Sequence, residues 1–280
     1  MDFSAAQAPA KKRPARLAWL FALVVVGTVE LAYCAFRETP SVLAAEGVYD
    51  GFESPTLGDL WTTEKFEPGA VVMQSAVVRA GKSAARITVH QGDRYEGTDA
   101  SGSLVSERAE LLERADLYAH EGGGCEYAFS IFIPPDFPVV PTRLVLAQWK
   151  QDNEKHATLD NPLVALRYVG GELYVTTQTD EKKVVRFRTK EDIRGHWQDF
   201  VFRIRFSRNG DGFVRVSRNG REILDFEGAT AYGEASGYPQ SGVFYFKMGL
   251  YRDRMAEPMT AYFDEYRKRP LRADETPAGI

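Results

Sequence analysis

The ribbon Gly242-Val243-Phe244-Tyr245-Phe246-Lys247-Met248-Gly249-Leu250-Tyr251 constrains the fold more than any other stretch of this chain. It alternates with the two-residue period of a β-strand. Phe244, Phe246, Met248 and Leu250 share an apolar face that needs a core. Tyr245, Lys247, Gly249 and Tyr251 share the other face. That second face sets an ammonium beside two phenols, with a glycine that clears space for something bulky. It reads as the floor of a groove for a large polar ligand.

The rest of the chain is made of similar pieces. Tyr127–Ile133, Leu144–Lys150, Leu163–Tyr168, Glu172–Thr177, Trp197–Phe206 and Ala261–Lys268 all read as strands. Pro134-Pro135 stops one of them, and Gly170-Gly171 signals a hairpin. The tetrapeptide Ser-Arg-Asn-Gly occurs at 207–210 and again at 217–220, which predicts Asn-Gly turns around the strand Phe213–Val216. No long segment of the domain has helical periodicity. Many short strands between Gly, Asn and Pro turns predict an all-β sandwich, two antiparallel sheets with one concave face open to an extended polymer. The domain is expected over residues 48–268, after a linker at 37–47 and before a flexible tail at 269–280. A monomer is expected.

The N-terminus has a different character. Lys11, Lys12, Arg13 and Arg16 precede an apolar run from Leu17 to Val29 that continues weakly to Phe36. This is the pattern of a secretory signal or a membrane anchor, and it predicts a folded part outside the cytoplasm. The run is short for a spanning helix, which needs about 20 apolar residues. Yet no small-x-small site follows it directly, since Val42-Leu43-Ala44 lies far downstream, and this favours retention. Tyr33 before Cys34 argues against a lipoprotein. With Cys34 in that segment, Cys125 is alone in the folded part, so no internal disulfide is expected. The net charge of -4 gives no general bias toward nucleic acid.

Three strands present polar pairs on alternate positions: Arg108 and Glu110, Gln148 and Lys150, and Lys247 with Tyr251. Any one pair reads as a solvated face. Together they suggest a site for a carboxylate-bearing sugar chain. Tyr245-Phe246-Lys247-Met248-Gly249-Leu250-Tyr251 resembles the Y-F-K-x-G-x-Y signature of the jelly-roll polysaccharide lyases, which include alginate lyases, glucuronan lyases and heparin lyase I. Arg108-Ala109-Glu110-Leu111 is similar to their R-[ST]-E-L strand, with Ala109 in place of the hydroxyl residue. Gln148-Trp149-Lys150 is similar to their Q-x-H strand, with lysine in place of histidine. Gly195–Phe200, Asn219-Gly220 and Tyr262–Glu265 resemble the heparin lyase I-like branch, and the likeness spans roughly residues 48–268.

The resemblance implies a β-jelly-roll and cleavage beside a uronate by β-elimination. That chemistry needs the carboxylate charge neutralised, a base for the C5 proton and an acid for the leaving oxygen. By resemblance, Tyr251 supplies the acid, Lys247 its cationic neighbour, and Gln148 and Arg108 hold the carboxylate, while Glu110 orients Arg108 or forms part of the wall that meets the substrate. Lys150 in the histidine position leaves three readings. Tyr251 is both base and acid, or Lys150 is the base, or the chain binds an anionic polysaccharide without cutting it. Tyr245, His156 and His90 are further groove candidates, whereas His120 and His196 read as bland and Trp149 as core. No cofactor is required. Glu53 and Asp264 allow a structural calcium ion. A laminarinase-like hydrolase needs two carboxylates across the scissile bond, and no E-x-D-x-x-E strand supplies them.

Overall fold

The computed structural model describes residues 46–62, 66–93, 98, 101–152, 161–234 and 237–275. The apolar N-terminal segment, most of the linker, His156 and the last five residues lie outside the described residues. Among the described residues no helix is long and apolar enough to cross a membrane.

In chain order the strands are β1 (Val48–Asp50), β2 (Trp61–Thr62), β3 (Val71–Gln74), β4 (Ala84–Val89), β5 (Ser106–Glu113), β6 (Ala119–His120), β7 (Gly124–Phe132) and β8 (Leu144–Gln151). There follow β9 (Val164–Val169), β10 (Glu172–Thr177), β11 (Val184–Thr189), β12 (Trp197–Arg205), β13 (Phe213–Arg218), β14 (Arg221–Glu227), β15 (Val243–Asp253) and β16 (Met259–Pro270). They form two eight-stranded sheets. The first runs β14-β13-β12-β7-β16-β4-β3, with β1 on β16. The second runs β11-β10-β9-β8-β15-β5-β2, with β6 on β15. Every pairing between these strands is antiparallel. This is the two-sheet sandwich that the strand pattern predicts, and it matches the jelly-roll that the resemblance implies.

The turns follow their residues. Gly170 and Gly171, at φ 60° and 81°, join β9 to β10, and Asn219 and Gly220, at 52° and 76°, join β13 to β14. Two consecutive positive φ values make the tight hairpin turn whose twist matches that of the strands it joins. The core lies between the sheets. Trp149 is fully buried, as its alternation predicts, with its ring 4.4 Å from Phe202 and 4.9 Å from Phe246. The stretch expected to be a tail is tied to the fold at its start. β16 runs to Pro270, and the Arg269 guanidinium is held by Glu126 and Glu275.

One ion pair sits inside this core. Lys268 donates to Glu113 at 2.8 Å and also to the Leu117 carbonyl, and both charged side chains are wholly buried. Glu113 accepts the Phe246 amide at 2.8 Å as well, so the pair ties β16 of one sheet to β5 and β15 of the other. Burial pushes the Glu113 carboxyl up from its ordinary range, and Lys268 opposes that rise. Lys268→Met is expected to cost about 3–5 kcal/mol, because it strands a buried carboxylate. A raised folded-state value means that the charged form weakens the fold as pH rises through it. The deficit, read by denaturant unfolding, should therefore be larger at neutral than at mildly acidic pH.

Candidate active site

β15 lies between β5 and β8, and its register builds the site. Tyr251 stands opposite Arg108 on β5, and Gly249 opposite Glu110. On the other side Lys247 stands opposite Gln148, and Tyr245 opposite Lys150. All of these side chains belong to the face turned away from the core, because Phe246, Met248 and Leu250 fill the core side. The three polar pairs singled out in the sequence thus meet on one face of one sheet.

Gln148 donates to Glu110 at 2.6 Å, reaching across β15. No side chain at Gly249 stands in the way. The Arg108 guanidinium lies 3.7 Å from the other Glu110 oxygen, and the Glu110 side chain is fully buried. Glu110 is thereby a platform that fixes both the amide and the guanidinium. Gly249 has a stricter reason to be glycine than clearing space for a ligand. Its φ is 144°, and a Cβ there would come within 2.3 Å of the Ala109 carbonyl. The register of β15 against β8 shifts just here, between Met248 and Tyr251, as at a β-bulge. The shift re-aims Tyr251.

Two guanidinium groups lie over the Tyr251 ring. Arg108 is 4.8 Å and Arg143 4.4 Å from its centroid. Asp253 holds Arg143 by an ion pair of 2.8 Å. Behind the ring, the fully buried Arg252–Glu107 pair, also at 2.8 Å, pins the end of β15. Tyr245 packs against Tyr118 at 5.5 Å, and the Lys247 ammonium lies 5.7 Å from the Tyr245 ring centre.

Tyr251, Arg108, Arg143, Gln148 and Lys247 line a hollow of about 160 Å³, whereas Tyr245 and Glu110, expected in the groove, are not among its lining residues. Its described walls carry six cationic side chains: Arg108, Arg143, Lys150, Arg167, Lys183 and Lys247. Gln148, Gln178 and Tyr251 join them, and no carboxylate lines it among the described residues. Arg167 is buried on β9 and bonds Thr176 at 3.2 Å. Burial, reinforced by Arg143, brings the Arg167 guanidinium down to about 10. Lys183 is also lowered, by burial first and then by Arg167 and Arg143. Like charges crowd together on these walls, and an anionic ligand relieves that cost.

Arg143, Arg167, Gln178 and Lys183 are additions that the structure makes to the sequence-predicted site. Arg167 leaves one signal, as the single charge in the apolar strand Val164–Val169. His90 does not join the groove. It stands just past β4, whose partners β3 and β16 belong to the other sheet. Glu53 and Asp264 are engaged by backbone amides. Glu53 accepts from Lys82 at 2.8 Å, and Asp264 accepts from Arg79 at 2.8 Å and Glu265 at 2.8 Å. Among the described residues there is no group of three or more side chains able to hold a metal ion.

Comparison with known proteins agrees with this architecture. The solved endo-β-1,4-glucuronan lyase from the fungus Trichoderma reesei superposes with a TM-score of 0.60 at 17% identity, covering 83% of this chain and 99% of that one. A family 7 alginate lyase superposes with a TM-score of 0.52 at 14% identity, covering 73% and 85%. At these identities the likeness is one of fold. No curated protein matches the sequence. The family model described as Polysaccharide lyase matches residues 52–267, most of the chain, and by that match the chain belongs to the polysaccharide lyase family.

Proposed function

We propose that this protein cleaves a uronic-acid-containing polysaccharide by β-elimination in the hollow around Tyr251, outside the cytoplasmic membrane. The observation that carries this reading is the gathering of six cations and Gln148 around one phenol. A uronate C5 proton is very weakly acidic because the carboxylate beside it is already negative. Charge gathers on that carboxylate as the proton leaves. Fixed cations and amide donors in a partly dry hollow are what stabilise it. In this reading Arg108 and Gln148, both held by Glu110, bind the carboxylate, with Lys247 beside them.

The bonds balance as follows. The C5–H bond breaks, its electron pair forms the C4–C5 double bond, and the C4–oxygen bond breaks toward the leaving sugar. Tyr251 enters as the phenolate, takes the C5 proton to become the phenol, and gives that proton to the departing oxygen, which restores the phenolate and keeps both events on one face of the sugar ring. Arg108 and Arg143 lie over the ring as fixed positive charges beside that phenolate. At neutral pH guanidinium groups keep their protons, so the arginines of the hollow act there as fixed charges.

Lys150 stands where the resembling lyases carry histidine, and it lines the same hollow. If Tyr251 does both proton transfers, Lys150 need only supply charge. Lys150→His should then fold normally and keep its rate within a few-fold. Initial rates and a thermal melt check this, and a loss of folding would assign Lys150 to packing. The activity itself is tested by the ultraviolet absorbance of an unsaturated uronate product. A panel of glucuronan, alginate, heparin-like and bacterial exopolysaccharide substrates covers the candidates. A rise with at least one polymer is expected. Binding without any rise would make the chain a carbohydrate-binding protein instead.

A further inference from the structure

The outward face of the first sheet carries a hollow that the reaction does not use. It is lined by Arg86, Thr88, His90, Asp136, Thr260 and Tyr262, and it measures about 430 Å³. We propose that this hollow is a second, non-catalytic site for an acidic saccharide, centred on Arg86 and Tyr262.

Three observations point to such a ligand. Arg86 is half-buried on β4. Its Nε is closed off from solvent without a hydrogen-bond partner, and no carboxylate pairs with it among the described residues. The guanidinium lines the hollow without a carboxylate beside it, and a ligand's acid group supplies that partner. Next, Tyr262 stands opposite Arg86 in register and opposite Phe132, which in turn stands opposite Trp197. The Phe132 ring centre lies 6.0 Å from Tyr262 and 5.6 Å from Trp197. This row extends apolar surface away from the hollow across neighbouring strands, which are about 4.8 Å apart, a step comparable to one sugar ring. Cross-strand aromatic pairs also stabilise a sheet, but sheet stability gives no reason for the unpaired Arg86 beside them. Finally, the hydroxyls of Thr88 and Thr260, 3.0 Å apart, the His90 ring and the exposed Asp136 offer donors and acceptors for sugar hydroxyls. Asp136 makes no ion pair with Arg86, so the guanidinium stays available to the ligand's acid group.

The two outward faces lie on opposite sides of the sandwich. A polymer held at Arg86 therefore does not occupy the Tyr251 hollow. Its effect is to keep a long chain near the enzyme.

The test is calorimetric titration of the full-length Tyr251→Phe protein with short oligoglucuronate and short oligoalginate, so that the probe is not consumed. Two classes of site are expected. Adding Arg86→Gln, or separately Tyr262→Leu, should weaken one class by at least about tenfold and leave the other unchanged, with thermal melts confirming the fold. In the otherwise unaltered protein, Arg86→Gln should raise KM for long polymer a few-fold and leave kcat/KM for short substrate as it was. A single class of site, or two classes that neither folded variant disturbs, would overturn the proposal. If the protein turns over no polymer yet the Arg86-dependent class is present, the second site stands and the lyase reading falls. Turnover with no such class would leave the lyase reading standing and remove the second site.

Discussion

Replacing Tyr251 with Phe is expected to lower kcat by about a thousandfold while polymer binding changes by less than about threefold, the size of loss seen when a positioned proton donor is removed. The substitution deletes one oxygen and leaves the ring, so Arg108 and Arg143 keep the surface they stack on. The anchors of the strand end, Arg252 with Glu107 and Asp253 with Arg143, are also untouched. Nothing that holds the carboxylate is lost, since Gln148, Arg108 and Lys247 lie on the opposing positions of β8, β5 and β15. A selective loss of kcat is the signature of a group that acts only in the transition state. Initial rates together with a binding isotherm separate the two effects. Full activity in the Tyr251→Phe protein would remove the phenol from the chemistry.

The second large effect is expected at Arg167. Arg167→Met should reduce kcat/KM by about a hundredfold or more and, at the same time, make the ligand-free protein more stable by about 1 kcal/mol or more. The two consequences have one cause. Arg167 is a buried cation crowded by Arg143, and it crowds Lys183 in turn. Methionine keeps much of the apolar stem and removes the desolvated charge. The pH dependence follows with a definite sign. The folded-state value of about 10 lies well below the ordinary guanidinium range. Below about pH 10 the folded protein therefore carries the full cost of the buried charge, and that cost is relieved as pH rises from about 10 toward the ordinary guanidinium range. Substrate affinity should move oppositely, falling as Arg167 loses its proton above about 10. A uronate oligosaccharide should raise the melting temperature of the parent protein more than that of the variant. A variant less stable than the parent without ligand would show that Arg167 serves the fold.

Much of this site is legible in the sequence because strands announce their two faces. Tyr245, Lys247 and Tyr251 alternate with Phe244, Phe246, Met248 and Leu250, so the face they share follows from period alone. The same holds for Gln148 and Lys150 around Trp149. Alternation does not say which strands are neighbours. The order β9-β8-β15-β5 joins segments nearly 140 residues apart, and no local signal encodes it. For that reason residue type alone leaves Arg167 unassigned and does not reveal that His90 belongs to the other sheet. Arg143 and Lys183 sit at strand margins, where charged residues are ordinary. The strand Val184–Thr189 lacks a readable pattern because, at the sheet edge, it is largely exposed and needs no apolar face. The glycine of the signature ribbon suggests room for a ligand, whereas the close approach of the Ala109 carbonyl explains it. A backbone contact of that kind leaves no trace in residue type beyond the glycine itself.

If a phenol among fixed cations drives elimination, the products must show it. The most direct measurement is mass analysis of the fragments formed when the protein acts on a glucuronate or alginate polymer in heavy-oxygen water. The expected fragments carry an unsaturated uronate at the new non-reducing end and no oxygen from solvent. Fragments that incorporate solvent oxygen and lack the double bond would show hydrolysis and contradict the account.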